Sequence, residues 1–413
     1  MNRVHFPFFD SFMDTITHGI VGALIGKGYF SERQGRVAVF SATVGAMFPD
    51  MDVVEEIFSR DPLSIVKYHR GITHSFVAMP FFAFFLAWLT RWVARRRGID
   101  APSQGMLTLI YVVAIASHIL LDGMTSFGTR IWDPISQRRV AWDLLFIIDF
   151  TFTSIALLPQ VAAWIYRDRE RVIGRAIRMW ALFTLAALAV WQVARSVQYP
   201  FHLWIMALAS LIFAALFFLP ARGDFGLRVT RAAWCRYGVY VMVGYLFACG
   251  FAHHAAFERV QTFAAENHIA VDRMAAIPLP PSLLSWGGLI RSPDGVYQTR
   301  IDLRDLAPPD FRFIADSPPD QFTARALRLP EVQLYLQFAR FPVIRTEMED
   351  GYHAVEFGEH RFVNPRRGSP QPFTYRVVFD AAGNVVEEGW LSNGLFQRRM
   401  KSISSPPRKG GSP

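Results

Sequence analysis

Histidines and aspartates recur in this chain at the ends of long apolar runs. They stand in Phe48-Pro-Asp-Met-Asp52, in His69-Arg-Gly-Ile-Thr-His-Ser75 and in His118-Ile-Leu-Leu-Asp122. Such side chains are costly at a membrane boundary unless they pair or bind a cation. The first third of the sequence therefore reads as a metal site carried by membrane helices.

The apolar blocks fall at about 16–30, 37–49, 76–94, 107–121, 144–166, 176–194, 201–219 and 237–255, against ~20 residues for a full span. The expected fold is mainly α: a polytopic helical membrane domain of about eight apolar helices at 13–255, followed by an extramembrane α+β domain at 256–400. The first two blocks are short and Gly-rich, as in a tight or re-entrant hairpin. With 52% hydrophobic residues, 37 of them Phe and 11 Trp among 413 residues in all, the chain is too apolar for an ordinary soluble protein. The Trp and Phe content fits membrane anchoring and packing. The net charge of +9 does not point to nucleic acid, because its basic residues concentrate in the connectors. Cys235 and Cys249 lie 14 positions apart on one expected helix, about 21 Å at the helical rise, too far to bridge. The run after Thr17 lacks the basic flank of a cleavable signal peptide.

Arginines set the expected orientation. The basic connectors carry Lys27, Arg33 and Arg36; then Arg91 and Arg95 to Arg97; then Arg167, Arg169, Arg171, Arg175 and Arg178; then Arg222, Arg228, Arg231 and Arg236. The alternate connectors are poorer in charge, which makes the first set cytoplasmic. His18, Asp50, Asp52, His69, His74, His118 and Asp122 then share the non-cytoplasmic side, with Asp149 nearby. Beyond the membrane blocks, 277–281 reads as a Pro-rich linker. Strand-like runs follow at 296–303, 332–338, 355–362, 373–379 and 385–391, the last two joined by an Asp380-Ala-Ala-Gly-Asn384 turn. Residues 401–413 form a Ser/Pro/Gly/basic tail that is expected to be disordered.

Each motif has a plain reading beside a chemical one. His118 and Asp122, four apart, share a helix face, which suits one cation or a simple His–Asp hydrogen bond. Asp50 and Asp52 would repel each other without a cation, although one of them could serve a turn. Gly71 would let His69 and His74 turn inward together. Arg70 could hold an anionic group such as phosphate, or pair with an aspartate. Thr73 or Ser75 suits a cap of the helix near Phe76. His18 opens the first block, and Asp149 sits among Phe146, Ile147, Ile148 and Phe150, where an unpaired carboxylate is costly. His253 and His254 read as interfacial. Neither H-E-x-x-H nor G-x-S-x-G occurs, against a zincin protease or a serine hydrolase. His and Asp donors without Cys suit Zn²⁺ first, with Mn²⁺ or Fe²⁺ open, as one or two ions.

Met13-Asp-Thr-Ile-Thr-His18-Gly, Phe48 to Asp52, His69 to Ser75 and His118 to Asp122, taken in that order, resemble the bacterial family of LexA-binding, inner-membrane-associated metal-dependent hydrolases (YdjM/YfhP-like). The resemblance covers roughly residues 13–165 and would place the natural start at Met13. Pro280 to Trp286 and the stretch from Phe341 through Trp390 are similar to a longer branch with an appended soluble domain. A more distant similarity to zinc-dependent phospholipase C and single-strand nuclease enzymes suggests phosphoester substrates.

These readings combine into an expected multi-pass protein of the bacterial inner membrane. It would be a metal-dependent hydrolase acting on a phosphoester or lipid-like substrate at the non-cytoplasmic face, in contact with membrane lipids. His18, Asp50, Asp52, His69, His74, His118 and Asp122 would hold the metal. Arg70 would bind the phosphate or a developing oxyanion, and Asp149 would be a further ligand or proton acceptor. The rival readings are an ion-coupled transporter and a regulatory protein that binds a partner through its C-terminal domain. The family's LexA-binding name favours the regulator, but LexA is cytoplasmic and the expected topology puts that domain outside.

Overall fold

The computed structural model describes residues 7–54, 59, 61, 63–196, 202–280, 282–362 and 371–391; the tail at 401–413 lies outside the described residues. The chain divides into two compact units. One comprises Met1–Val54, Arg70–His253 and Pro278–Leu283, and the other Glu55–His69, His254–Ile277 and Leu284–Pro413.

The first unit is built on helices α1 (Pro7–Ile25), α2 (Ser31–Met47), α3 (Met79–Arg96), α4 (Gln104–Gly123), α5 (Phe150–Ile165), α6 (Val172–Ser196), α7 (Leu203–Phe218) and the part of α8 (Arg231–Glu266) up to His253, the rest of α8 belonging to the second unit. A five-residue π segment joins α1 to α2, and the chain reverses at Gly35, whose φ of 69° favours glycine. The two helices run back antiparallel with small residues facing each other. A Cβ on Gly22 would come within 2.4 Å of the Ala42 carbonyl oxygen and 2.6 Å of Ala46 Cβ, and one on Gly26 would crowd Ala42 and Val39. Gly22 and Gly26 are spaced as in a G-x-x-x-G interface, where close backbone approach replaces the missing hydrophobic drive between membrane helices. The Gly-rich hairpin expected from the sequence is therefore present.

Three apolar clusters among the described residues hold this unit. Leu107, Ile110, Tyr111, Ile115 and Ile119 of α4 pack on Ala38 and Ala42 of α2 and on Ala83, Leu86 and Ala87 of α3. Val21 and Leu24 of α1 meet Phe152 and Ala156 of α5 and Cys235, Met242 and Cys249 of α8. Both cysteines are unbridged and buried. Phe217 of α7 packs with Ile165, Val172 and Ala176.

The count of membrane-length helices is lower than the eight apolar blocks implied. Among the described residues, four are long and apolar enough to cross a bilayer: Gln104–Gly123, Arg169–Gln192, Leu203–Arg228 and Arg231–Glu266. Ser64–His74 and Met79–Arg96, bent by 72° at the break between them, would make a fifth if the pair is one broken span and not a re-entrant loop. The rest fall short for physical reasons. The α2 helix carries Glu32, Arg33, Gln34 and Arg36 before its apolar stretch, and α5 has 16 residues where a full span needs ~20.

The second unit carries two four-stranded antiparallel sheets. The first orders β1 (Arg273–Leu279), β2 (Ser285–Ser292), β3 (Gly295–Asp302) and β4 (Arg312–Ala315). Helices α9 (Gln321–Ala326) and α10 (Pro330–Phe338) precede the second, made of β5 (Pro342–Glu349), β6 (Tyr352–Glu359), β7 (Thr374–Phe379) and β8 (Val385–Trp390). Ala275, Ile277, Leu289, Val296, Phe341 and Val343 form a core drawn from both sheets. Asp316 links them, its Oδ1 accepting from Ile344 N at 2.8 Å and its Oδ2 from Arg291 Nη2 at 2.6 Å. The expected hairpin after Phe379 forms, with Gly383 at φ 83°.

Two local expectations fail. Residues 332–338 are helical, because Pro330 starts a helix and Val332, Tyr335 and Phe338 bury a three-residue period that also reads as near-alternation. Ile277 to Leu279, expected in a linker, belong to β1. Strands β1, β2, β4 and β5 were not foreseen.

Two outcomes test this architecture. Gly22→Val should cost about 1–3 kcal/mol through overpacking and lower the thermal midpoint in detergent. Gly244→Ala, with open space around it, should leave the midpoint unchanged or slightly raised. In the second unit, burial pushes the His360 imidazole down to about 4, and its Nδ1 lies 3.1 Å from Gln298 Oε1. A depressed histidine stays neutral when folded while the unfolded chain takes up a proton, so its contribution is full above pH ~6.5 and is lost as the pH falls toward about 4. Hydrogen exchange across β5–β8 should show destabilisation approaching about 3 kcal/mol over that window, and His360→Gln should flatten it.

Candidate metal centre

The site is assembled from helix ends and the turns that follow them. Helix α4 starts on a Ser103 cap and presents His118 and Asp122 one turn apart near its end. A single 3₁₀ turn at Pro49–Asp52 follows α2 and carries Asp50 and Asp52. A second, at Ile72–His74, carries His74, and Ser75 then caps the following turn by accepting from Val77 N at 3.0 Å. Helix α1 contributes Asp14 and His18, again one turn apart.

Four ligand atoms converge. His74 Nε2 and His118 Nε2 are 3.0 Å apart. Asp122 Oδ2 lies 3.1 Å from the first and 3.3 Å from the second. Asp50 Oδ1 lies 3.5 and 3.4 Å from the same two nitrogens. A tetrahedral cation with ligands ~2.0–2.1 Å away sets neighbouring ligands about 3.3 Å apart. All four residues are buried, His74, His118 and Asp122 completely.

The protons explain why these atoms suit a cation. His118 Nδ1 is 2.6 Å from the Ala46 carbonyl oxygen, which can only accept, so that nitrogen carries the ring proton. His74 Nδ1 lies 3.0 Å from Thr73 Oγ1 and 3.4 Å from Asp52 Oδ2, and Thr73 itself donates to Asp52, so His74 also spends its proton on that side. With the rings neutral, as metal ligands must be, both Nε2 atoms present lone pairs toward two carboxylate oxygens. Among the described residues, none donates a hydrogen bond to Asp122 Oδ2. Four acceptors sharing a buried space are strongly unfavourable without a positive charge between them. The donor set of two imidazoles and two carboxylates fits a divalent metal.

A second group adjoins the first through Asp122. His18 Nε2 lies 3.1 Å from Asp122 Oδ1 and 3.4 Å from Asp14 Oδ1, and its ring stacks on that of His118 at 3.8 Å. Arg70, almost fully buried, places Nη2 2.7 Å from Asp14 Oδ2 and 3.0 Å from Asp122 Oδ1, and donates through Nη1 to Thr125 Oγ1 at 2.6 Å.

The structure sorts the expected residues. His18, Asp50, His74, His118 and Asp122 come together. Asp52 stands behind His74 and accepts from Arg70 N at 2.8 Å, so it orients an imidazole instead of facing the centre. Arg70 takes the ion-pair alternative. The unusual backbone falls on Arg70, at φ 57°, whereas Gly71 has φ −94°. His69 is buried but is not among the converging ligand atoms. Asp149 caps α5, with Oδ1 accepting from Thr151 N and Phe152 N and Oδ2 from the Tyr245 hydroxyl. Asp14 lies outside the expected set, although its spacing to His18 repeats in reverse the His118–Asp122 pair. Thr15, which donates to Asp50 Oδ2 at 2.6 Å, also lies outside that set.

Outer partners of ligating histidines are worth about 10–100-fold in metal affinity. Asp52→Asn should therefore weaken divalent-metal binding by that factor in a chelator competition, without abolishing it. Asp149→Asn should leave the affinity unchanged.

Comparison with known proteins matches residues 13–201 to the family described as YdjM inner membrane protein. YbcI, an inner membrane protein of Escherichia coli (strain K12), is 32% identical over 142 residues, which cover 33% of this chain and 78% of YbcI. YfhP of Bacillus subtilis (strain 168) is 27% identical over 161 residues, 37% of this chain; the match spans about half of that relative, 46%. No solved structure matches. The aligned region holds all the converging His and Asp residues. This chain belongs to the YdjM inner membrane protein family and is a multi-pass protein of the bacterial inner membrane.

Proposed function

We propose that the chain is an inner-membrane metalloprotein whose Asp50, His74, His118 and Asp122 hold a divalent ion, and that the centre serves hydrolysis of a phosphoester or lipid-like substrate at the non-cytoplasmic face. The observation that carries the metal reading is the pair of imidazole Nε2 atoms 3.0 Å apart, each ring already committed through Nδ1. Zinc suits the donors, as do manganese and iron. A bound ion there supplies Lewis acidity and lowers the pKa of a coordinated water.

The residues around the ion divide the remaining work. Ala46 and Asp52 fix the two imidazoles. Thr15 holds Asp50 through the oxygen that faces away from the centre. Arg70 and His18 hold Asp122 through Oδ1, which leaves Oδ2 to the ion. Membrane lipids are the nearest amphiphiles, which favours a substrate that lies in the bilayer surface. Nucleic acid is not expected, since the basic residues serve the connectors. A protein partner, if the chain has one, would bind through the C-terminal sheets.

One observation favours a second reading. Four protein donors form a closed set, and closed sets are typical of structural metals, whereas catalytic sites keep a position open. The centre would then tie the helix ends together without turning over a substrate.

Elemental mass spectrometry on the detergent-purified full chain should find stoichiometric Zn, Mn or Fe that disappears in a His118→Ala, Asp122→Ala variant. Metal-dependent release of phosphate or alcohol from phosphoester lipids, lost on chelation and restored on reloading, is expected of the hydrolase. A large fall in thermal midpoint on chelation, with no product from any phosphoester, would favour the structural metal. A folded wild-type protein with no metal would end both.

A further inference from the structure

The donor types alone would suggest two ions bridged by Asp122, because Asp14, His18 and Asp122 also lie within 4.8 Å of one another. We infer instead that the centre is built for one cation, with the Arg70 guanidinium as the permanent second positive charge of the cluster. This inference rests on the metal-centre reading above and deepens it.

Arg70 already occupies the place. Its Nη2 contacts one oxygen from each of the two carboxylates that a second ion would need, at 2.7 and 3.0 Å. The guanidinium cannot be deprotonated in a protein, so this charge is not exchangeable for a metal by losing a proton. Nor is the side chain free to swing aside. Its backbone N donates to Asp52, its carbonyl accepts from Arg130 N at 3.1 Å, its Nη1 donates to Thr125, and its guanidinium lies over the Phe127 ring at 5.4 Å. The residue holds φ 57°, a left-handed backbone that disfavours a long side chain, and that cost is borne where the guanidinium is needed.

His18 points the same way independently. A histidine that ligates through one nitrogen gives the proton of the other to an acceptor. His118 has Ala46, and His74 has Thr73 and Asp52. His18 Nδ1 is buried and, among the described residues, has no hydrogen-bond partner. Its proton therefore belongs on Nε2, which faces Asp122 Oδ1 and Asp14 Oδ1 as a donor and not as a ligand. Asp14, His18 and Arg70 together form a positioning layer behind Asp122. It follows that Arg70 is not available to a substrate phosphate.

The test uses the full chain in detergent with Mn²⁺ as the only added metal. Wild type should bind one Mn²⁺ per chain and give the electron paramagnetic resonance spectrum of an isolated ion. Asp14→Asn should keep that single ion. Arg70→Ala, checked for folding by its thermal melt, should still bind one ion but about tenfold or more weakly. Two ions per wild-type chain with an exchange-coupled spectrum would overturn the inference, as would loss of one ion in Asp14→Asn. Unchanged affinity in a folded Arg70→Ala would remove Arg70 from its role. No bound Mn²⁺ in any folded protein would instead bring down the metal centre itself, and the inference with it.

Discussion

The Asp122 carboxylate is the interaction on which the rest of the first unit depends. It is fully buried near the end of an apolar helix, where a lone charge would be prohibitive. Its two oxygens divide the surroundings. Oδ1 meets Arg70 and His18, while Oδ2 meets His74 and His118. His18 comes from α1, Arg70 and His74 from the segment before α3, and His118 from Asp122's own helix, so satisfying one carboxylate fixes α1, that segment and α4 against each other. Removing a member would leave the others buried and uncompensated, which costs more than the pair is worth when intact.

That convergence is possible only because the helices pack closely. Gly22 and Gly26 let α1 lie against Ala42 and Ala46, and Gly45 lets α2 lie against Tyr111 of α4. The Ala46 carbonyl then comes within 2.6 Å of His118 Nδ1. A Cβ at Gly22, Gly26 or Gly45 would meet atoms of the facing helix at 3.0 Å or less, so a larger residue there would disturb the packing that sets this contact. Helix packing and the orientation of the His118 imidazole are thus one constraint seen at two scales.

Much of this was legible beforehand, for reasons that can be named. His118 and Asp122 stood out because their i,i+4 spacing puts both on one face of an apolar helix, which suits a shared cation or a simple hydrogen bond between them. Asp50 and His74 stood in short motifs at the ends of apolar runs. Asp14 carries the same spacing signal, but only the fold brings it to Arg70 and Asp122. Asp52 could not be told from Asp50 in sequence, since only the direction of a 3₁₀ turn decides which carboxylate faces inward. Asp149 looked expensive among phenylalanines and isoleucines until α5 supplied two backbone donors and Tyr245 a hydroxyl. In the second unit, strands with one exposed face and a clear turn were visible. The run at 332–338 was not, because V-Q-L-Y-L-Q-F satisfies a two-residue and a three-residue period almost equally.

The closed donor set bears on how such a centre comes to exist in a membrane. Asp50, His74 and the His118–Asp122 pair belong to separate segments, and the site does not exist until α2, α4 and the turn before α3 have met. On the proposed reading, four acceptors meeting without a cation would oppose that meeting, and a bound divalent ion would turn the repulsion into the attraction that holds the helix ends. Binding energy and assembly energy would then be the same quantity. Arg70 would fit this logic on the one-cation inference, since its guanidinium already pairs with Asp14 and with one oxygen of Asp122 and would leave a single charge for a metal to supply. A second exchangeable ion would have left that assembly dependent on two captures instead of one.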